Sequence, residues 1–172
     1  KAKRQLKKNE TDILVYTMGK VGSMSVYHSI KKHHPDAAYH IHTLQADKIE
    51  EAYQVCREKG WWPDSKSVGA LLHEKIKAKE QKIKIITMVR DPITRNISAF
   101  FEVFRFFVGT SVKAYEGSVE DLQSLFLDRV NHSFPIDWFS DEFERSLGID
   151  IYKEGFSTEQ KYMTFTRDNI EI

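Results

Sequence analysis

The sequence predicts an α/β domain: a three-layer P-loop-like fold, with a central parallel sheet flanked by helices and a mainly helical C-terminal part. Three observations predict it. Apolar runs rich in strand formers alternate with segments of helical spacing, the order that gives a parallel sheet with crossover helices. Two of those runs end in loops, at Gly19 and at Arg90, that lead straight into helical segments. The 172 residues, 41% hydrophobic and 30% charged, have the size and composition of one domain with its own core. The chain 1–172 therefore reads as a single domain, with the lysine-rich residues 1–10 as a flexible tail.

Residues 12–18 (DILVYTM) form the first strand, closed by Gly19. From Ser23 the period changes: Val26 and Ile30 lie four apart, Tyr27 widens their face, and Pro35 ends a helix of about three turns. Residues 37–42 make a short second strand. Ile49, Ala52, Tyr53 and Cys56 recur at i, i+3, i+4 and i+7, one face of a helix closing near Gly60. Trp61-Trp62-Pro63 breaks the pattern, and Val68, Leu71, Leu72 and Ile76 restore it.

Residues 83–89, with Ile83, Ile85, Ile86 and Val89, read as the third and most buried strand. Asp91 is placed to cap a helix whose first residue is Pro92, continued by Ile93, Ile97, Phe100, Phe101 and Phe104. The aromatic run Phe100, Phe101, Phe104, Phe106 and Phe107 reads as core. From Gly109 onward Val119, Leu122, Leu125 and Phe126, then Trp138, Phe139 and Phe143, keep helical spacing until Gly148.

Lysine and arginine number 26 against 25 acids, a balance that gives no reason to propose a nucleic-acid or membrane partner. No run approaches membrane-spanning length. Cys56 is the lone cysteine, read as a small core residue; it favours a reducing compartment and sets a cytoplasmic expectation. The chain opens on Lys1 rather than methionine, which leaves an upstream segment open.

The chemistry-bearing residues sit at the strand ends. In Thr17-Met18-Gly19-Lys20-Val21-Gly22-Ser23-Met24-Ser25, a turn between strand and helix aims backbone N–H groups and the helix dipole at a phosphate, and Lys20 adds a point charge. It differs from G-x-x-x-x-G-K-[ST], because its lysine precedes the second glycine; a plain structural turn is the alternative. Arg90 leaves the third strand, Ser98 lies eight residues on, and Arg95 falls between them; the fork of a guanidinium suits phosphate. Arg90 and Ser98 share one anion only if the chain folds back at Asp91-Pro92, and pairing of Arg90 with Asp91 or a nearby surface acid is the competing use. His40 and His42 alternate onto one face of the second strand, where an imidazole suits general-base work. His28, Lys31, Lys32, His33 and His34 read as a solvated face, and Trp61 and Trp62 equally as packing or a sugar-stacking surface. No cysteine or paired carboxylate accompanies the histidines, so no metal site is expected.

Together these segments resemble the sulfotransferases that use 3′-phosphoadenosine-5′-phosphosulfate (PAPS), over roughly residues 11–105. The likeness is to carbohydrate-type members, including bacterial capsular-polysaccharide-like ones. Tyr39-His40-Ile41-His42 is similar to the His-x(1–2)-His element that uronyl 2-O-sulfotransferases carry soon after the first helix. The resemblance implies that Gly19, Lys20, Gly22, Ser23, Met24 and Ser25 hold the 5′-phosphosulfate, and that Arg90 and Ser98, with Arg95 nearby, hold the 3′-phosphate. It further implies Lys20 and His42 or His40 as catalytic groups, a carbohydrate acceptor in polysaccharide biosynthesis, 3′,5′-bisphosphoadenosine (PAP) as product, and no metal. Gly19 stands where many members have proline, and Met24 where many have a hydroxyl residue. No late glycine- and lysine-rich loop precedes Ile172. Two rival readings stand: a nucleotide-dependent kinase with a variant phosphate loop, for which Asp91 is the one magnesium-binding candidate, and a non-catalytic nucleotide-binding module of the same fold.

Overall fold

In the computed structural model, which describes residues 9–58, 68–79, 81–155 and 159–172, β1 (Thr11–Tyr16) runs through the middle of the sheet. It pairs in parallel with β2 (Ala38–Ile41) on one side and β3 (Lys82–Ile86) on the other, with Ile13 opposite Ala38 and Val15 opposite Ile86. Leu14, Val15 and Tyr16 have no exposed surface, as expected of a strand covered on both faces. Helix α1 (Ser23–His33) joins β1 to β2, and α2 (Ala46–Glu58) and α3 (Val68–Ala78) lie between β2 and β3.

After β3 the chain is helical: α4 (Pro92–Glu102), α5 (Phe104–Val108), α6 (Val119–Arg129) and α7 (Phe134–Trp138). A π-helical stretch, Phe139–Glu144, then runs into the short α8 (Arg145–Leu147). Two-residue strands β4 (Thr166–Arg167) and β5 (Ile170–Glu171) complete a five-stranded sheet of order β2-β1-β3-β5-β4. β5 is parallel to β3, and β4 is antiparallel to β5. No helix among the described residues is long and apolar enough to cross a membrane.

The main core joins the sheet to the late helices. Leu14, Tyr16, Ile41, Leu72, Ile83 and Ile85 pack with Trp138, Phe139 and Phe143. The Tyr16 ring stacks on Phe143 at 5.6 Å and meets Trp138 edge-on at 5.2 Å, so β1 is glued to the π-helical stretch by aromatic contacts.

Four expectations need correction. The sheet is mostly, not wholly, parallel, because β4 runs antiparallel to β5, and the two strands are too short to show a two-residue period in sequence. The third strand ends at Ile86, not residue 89, since its partner β1 ends at Tyr16; Val89 is 64% exposed in the loop beyond. Of the aromatic run, Phe100 and Phe104 are buried, but Phe101 and Phe106 are exposed, as are Ile93 and Ile97. Within the tail expected over 1–10, residues 1–8 lie outside the described residues, and Asn9 is tied down, its Nδ2 donating to Asp12 Oδ1 at 2.8 Å. Trp61-Trp62-Pro63 and the Cys56 side chain also lie outside the described residues.

Candidate functional site

The strand order reverses at β1: the chain steps from β1 outward to β2, then crosses back to β3 on the other flank. In open α/β sheets such a reversal leaves a crevice at the carboxyl ends of the two diverging strands. Both sequence motifs open there. The loop after β1 turns through two left-handed residues, Lys20 (φ 72°) and Gly22 (φ 86°). A β-carbon on Gly22 would meet nothing within 4 Å, so the glycine serves its backbone angle and not a close approach. Gly22 is also the N-cap of α1, with no side chain to accept from the first N–H groups and no acid in the first turn. The positive end of the helix dipole is thus left without a side-chain acceptor.

The loop after β3 is fastened to it. Arg90 Nη1 donates to the Lys20 carbonyl at 3.3 Å, and Arg95 Nε donates to the Gly19 carbonyl at 2.9 Å. Arg95 also donates from Nη1 to Asn96 Oδ1 at 2.9 Å and lies 4.5 Å over the Phe134 ring. Its burial draws the guanidinium pKa below the ordinary arginine value. These contacts make Arg95 a brace between the two loops, whereas Arg90 is exposed. Asp91 caps α4, accepting from Thr94 N at 2.8 Å, and among the described residues no ion pair within 4 Å joins it to Arg90; the Thr94 N–H and side chain, with the Arg90 charge a smaller contributor, hold its carboxyl below the usual range. Pro92 then starts the helix, as expected.

Lys20 Nζ reaches Glu102 Oε2 at the far end of α4, 2.9 Å away, in a pair open to solvent. Met24 and Ser25 are exposed in the first turn of α1, and Ser98 is half-buried two turns along α4. Among the described residues no hydrogen bond links Ser98 to Arg90. The structure therefore joins Gly19 and Lys20 to Arg90 and Arg95, and leaves Ser98, Met24 and Ser25 unconnected to them.

The histidines stand beside the same loop, with ring centroids 4.7 Å apart. His42 Nδ1 lies 2.7 Å from the Thr17 carbonyl oxygen, which can only accept, so Nδ1 carries a proton and, in the uncharged form of the ring, Nε2 is the bare acceptor. That Nε2 is 4.0 Å from where a β-carbon on Gly19 would stand. His40 is more enclosed: its Nε2 bonds to Ser23 Oγ at 2.8 Å, and Tyr27 lies against its ring. Burial, then the nearby His42 and His28, lower its pKa. Ser23, buried at the start of α1, spends its hydroxyl on His40.

The sequence reading missed Glu142, in the π-helical stretch and 2% exposed. Its carboxylate accepts from Tyr16 Oη and Leu44 N, each at 2.7 Å, from Thr43 Oγ1 at 2.9 Å, and from Gln45 Nε2 and Ser146 Oγ at 3.2 Å. Burial and the Glu142 charge push the Tyr16 phenol pKa up, so it remains a neutral donor. The one signal in the sequence is an acid between Phe139 and Phe143, four residues after Trp138 on its helical face. Comparison with protein-family models, curated proteins and solved structures returned no match.

Proposed function

We propose that this chain is a sulfotransferase that moves a sulfuryl group from PAPS to a hydroxyl of a carbohydrate acceptor, on a three-layer P-loop-like fold. One observation carries the reading: the loops after β1 and β3 are hydrogen-bonded side by side through Arg90 and the Lys20 carbonyl, with the bare Nε2 of His42 facing Gly19. The residues fit such a donor. The uncapped start of α1, from Gly22 to Ser25, suits a 5′-phosphosulfate, and the exposed Arg90, with Ser98, suits a 3′-phosphate.

In this reading His42 Nε2 takes the proton of the acceptor hydroxyl. The hydroxyl oxygen bonds to sulfur as the bond from sulfur to the 5′-phosphate oxygen breaks, and PAP leaves. Lys20 offsets the charge growing on the departing oxygen, exchanging its exposed, weakly held Glu102 partner for that oxygen. The Thr17 carbonyl keeps the His42 proton on Nδ1 throughout the approach. His40, held by Ser23, orients rather than accepts.

Calorimetric titration with PAP, AMP and ATP tests the proposal. Preference for PAP, together with loss of transfer in Lys20→Ala and Arg90→Ala, supports it. Equal affinity for all three overturns it, magnesium-dependent ATP binding favours the kinase, and PAP binding with no transfer to any sugar acceptor favours the non-catalytic module.

A further inference from the structure

We infer that Glu142 is a positioning residue for His42: its buried carboxylate fixes the chain that carries the imidazole, and so holds the tautomer that leaves Nε2 open. The inference rests on the assignment of His42 as base, though its structural part can be measured without nucleotide or acceptor. Three of the groups that donate to Glu142 belong to Thr43, Leu44 and Gln45, the residues that directly follow His42. Trp138, one turn earlier on the same helical segment, donates from Nε1 to the His42 carbonyl at 3.3 Å. The stretch 138–142 thus grips four consecutive residues of this loop by backbone and side chain.

Two further contacts close the grip. Lys48 Nζ stands 3.7 Å from Glu142 Oε2 and donates to the Asp141 carbonyl at 2.7 Å, adding a positive charge beside the carboxylate. Gly69 of α3 packs so tightly on the loop that a β-carbon there would overlap the Thr43 carbonyl oxygen. Hydrogen bonds to a buried carboxylate are charge-assisted and strengthened by the low dielectric, so this anchor is stiff. The ring contact to Thr17 depends on it, because the imidazole reaches that carbonyl only while its own backbone stays put. Misplacement of a reacting group by about 1 Å can lower a rate by about a hundredfold.

The test is Glu142→Gln, which keeps the size of the side chain but turns one acceptor oxygen into a donor facing other donors. Long-range proton–nitrogen NMR of the unliganded chain reads the His42 tautomer. The expected result is a single Nδ1–H tautomer in the parent and a mixture of the two in the variant. Transfer should fall by about tenfold to a hundredfold, with PAP affinity kept within about twofold. A folded Glu142→Gln whose His42 signals match the parent overturns the inference. Should Glu142→Gln not fold, Thr43→Val and Trp138→Phe each remove one link, and a smaller tautomer shift in the same direction is expected; no shift in both overturns it. Failure of the sulfotransferase reading shows separately, as loss of PAP preference in the parent chain.

Discussion

The two loops of the candidate site are braced in opposite ways. The loop from Thr17 to Gly22 presents carbonyls, at Gly19 and Lys20, to arginines on the loop and helix that follow the neighbouring strand β3. The loop from His42 to Gln45 presents donors, and one carboxylate about a hundred residues later in the chain gathers them. A loop whose carbonyls are held by cations keeps its N–H groups available for an anion, which is what a phosphate loop needs. A loop whose N–H and hydroxyl groups are held by an anion keeps its imidazole in place and its acceptor nitrogen outward, as a base loop needs. The sign of the brace matches the work of the loop.

Predictions that break or sharpen this contrast can be ranked by effect. Glu142→Ala should cost most, about 4 kcal/mol by urea unfolding, because it leaves several buried donors without an acceptor. A loss under about 1 kcal/mol would mean that the donors find water, and that the anchor is weak. Arg95→Ala should cost about 3 kcal/mol, from two charge-assisted bonds and the Phe134 contact, and should weaken PAP binding while leaving the His42 tautomer unchanged. A change of tautomer there would show that the two braces are not separate.

Gly69→Ala should cost about 2 kcal/mol by crowding the Thr43 carbonyl, and should disturb His42 but not PAP affinity. Gly22→Ala should cost about 1 kcal/mol, the strain of a left-handed alanine, since open space surrounds the site; a thermal melt measures it.

The smallest effect is a pH dependence. Because the folded pKa of His40 is lowered, the unfolded chain takes up this proton first, near the ordinary imidazole value of about 6.5. Stability should therefore fall as pH drops from about 7 through that value toward the lower folded one, and level off once both states are protonated. His40→Asn should flatten this segment of a plot of urea midpoint against pH; an unchanged slope would assign the dependence to other groups.

The helix starts after the first and third strands were readable because local chemistry writes them in neighbouring residues. Asp91-Pro92 is a cap followed by a first helical residue, and Gly22 supplies a left-handed turn before Ser23. His40 on β2 and His42, in the loop just beyond its end at Ile41, bring their rings together, so the two-residue alternation holds one residue past the strand. The sequence offers Arg95 as a ligand arm but does not show its bond to the Gly19 carbonyl and its contact with Phe134, because a guanidinium suits a carbonyl and an aromatic face as well as it suits a phosphate. Val89 was misjudged because an apolar residue continues a strand only where a partner continues beside it.

By itself the sequence determined three β-strands and their helices, the turn at Gly22, the cap at Asp91 and a pair of neighbouring histidines at the end of the second strand, all consequences of backbone preference and side-chain period over a few residues. Only the tertiary structure decided that β5 pairs with β3, that Arg95 closes on Gly19, and that Glu142 turns inward beneath the His42 loop. Those choices depend on which groups meet across long separations in the chain, where a buried charge finds its partners by packing, and no local spacing records them.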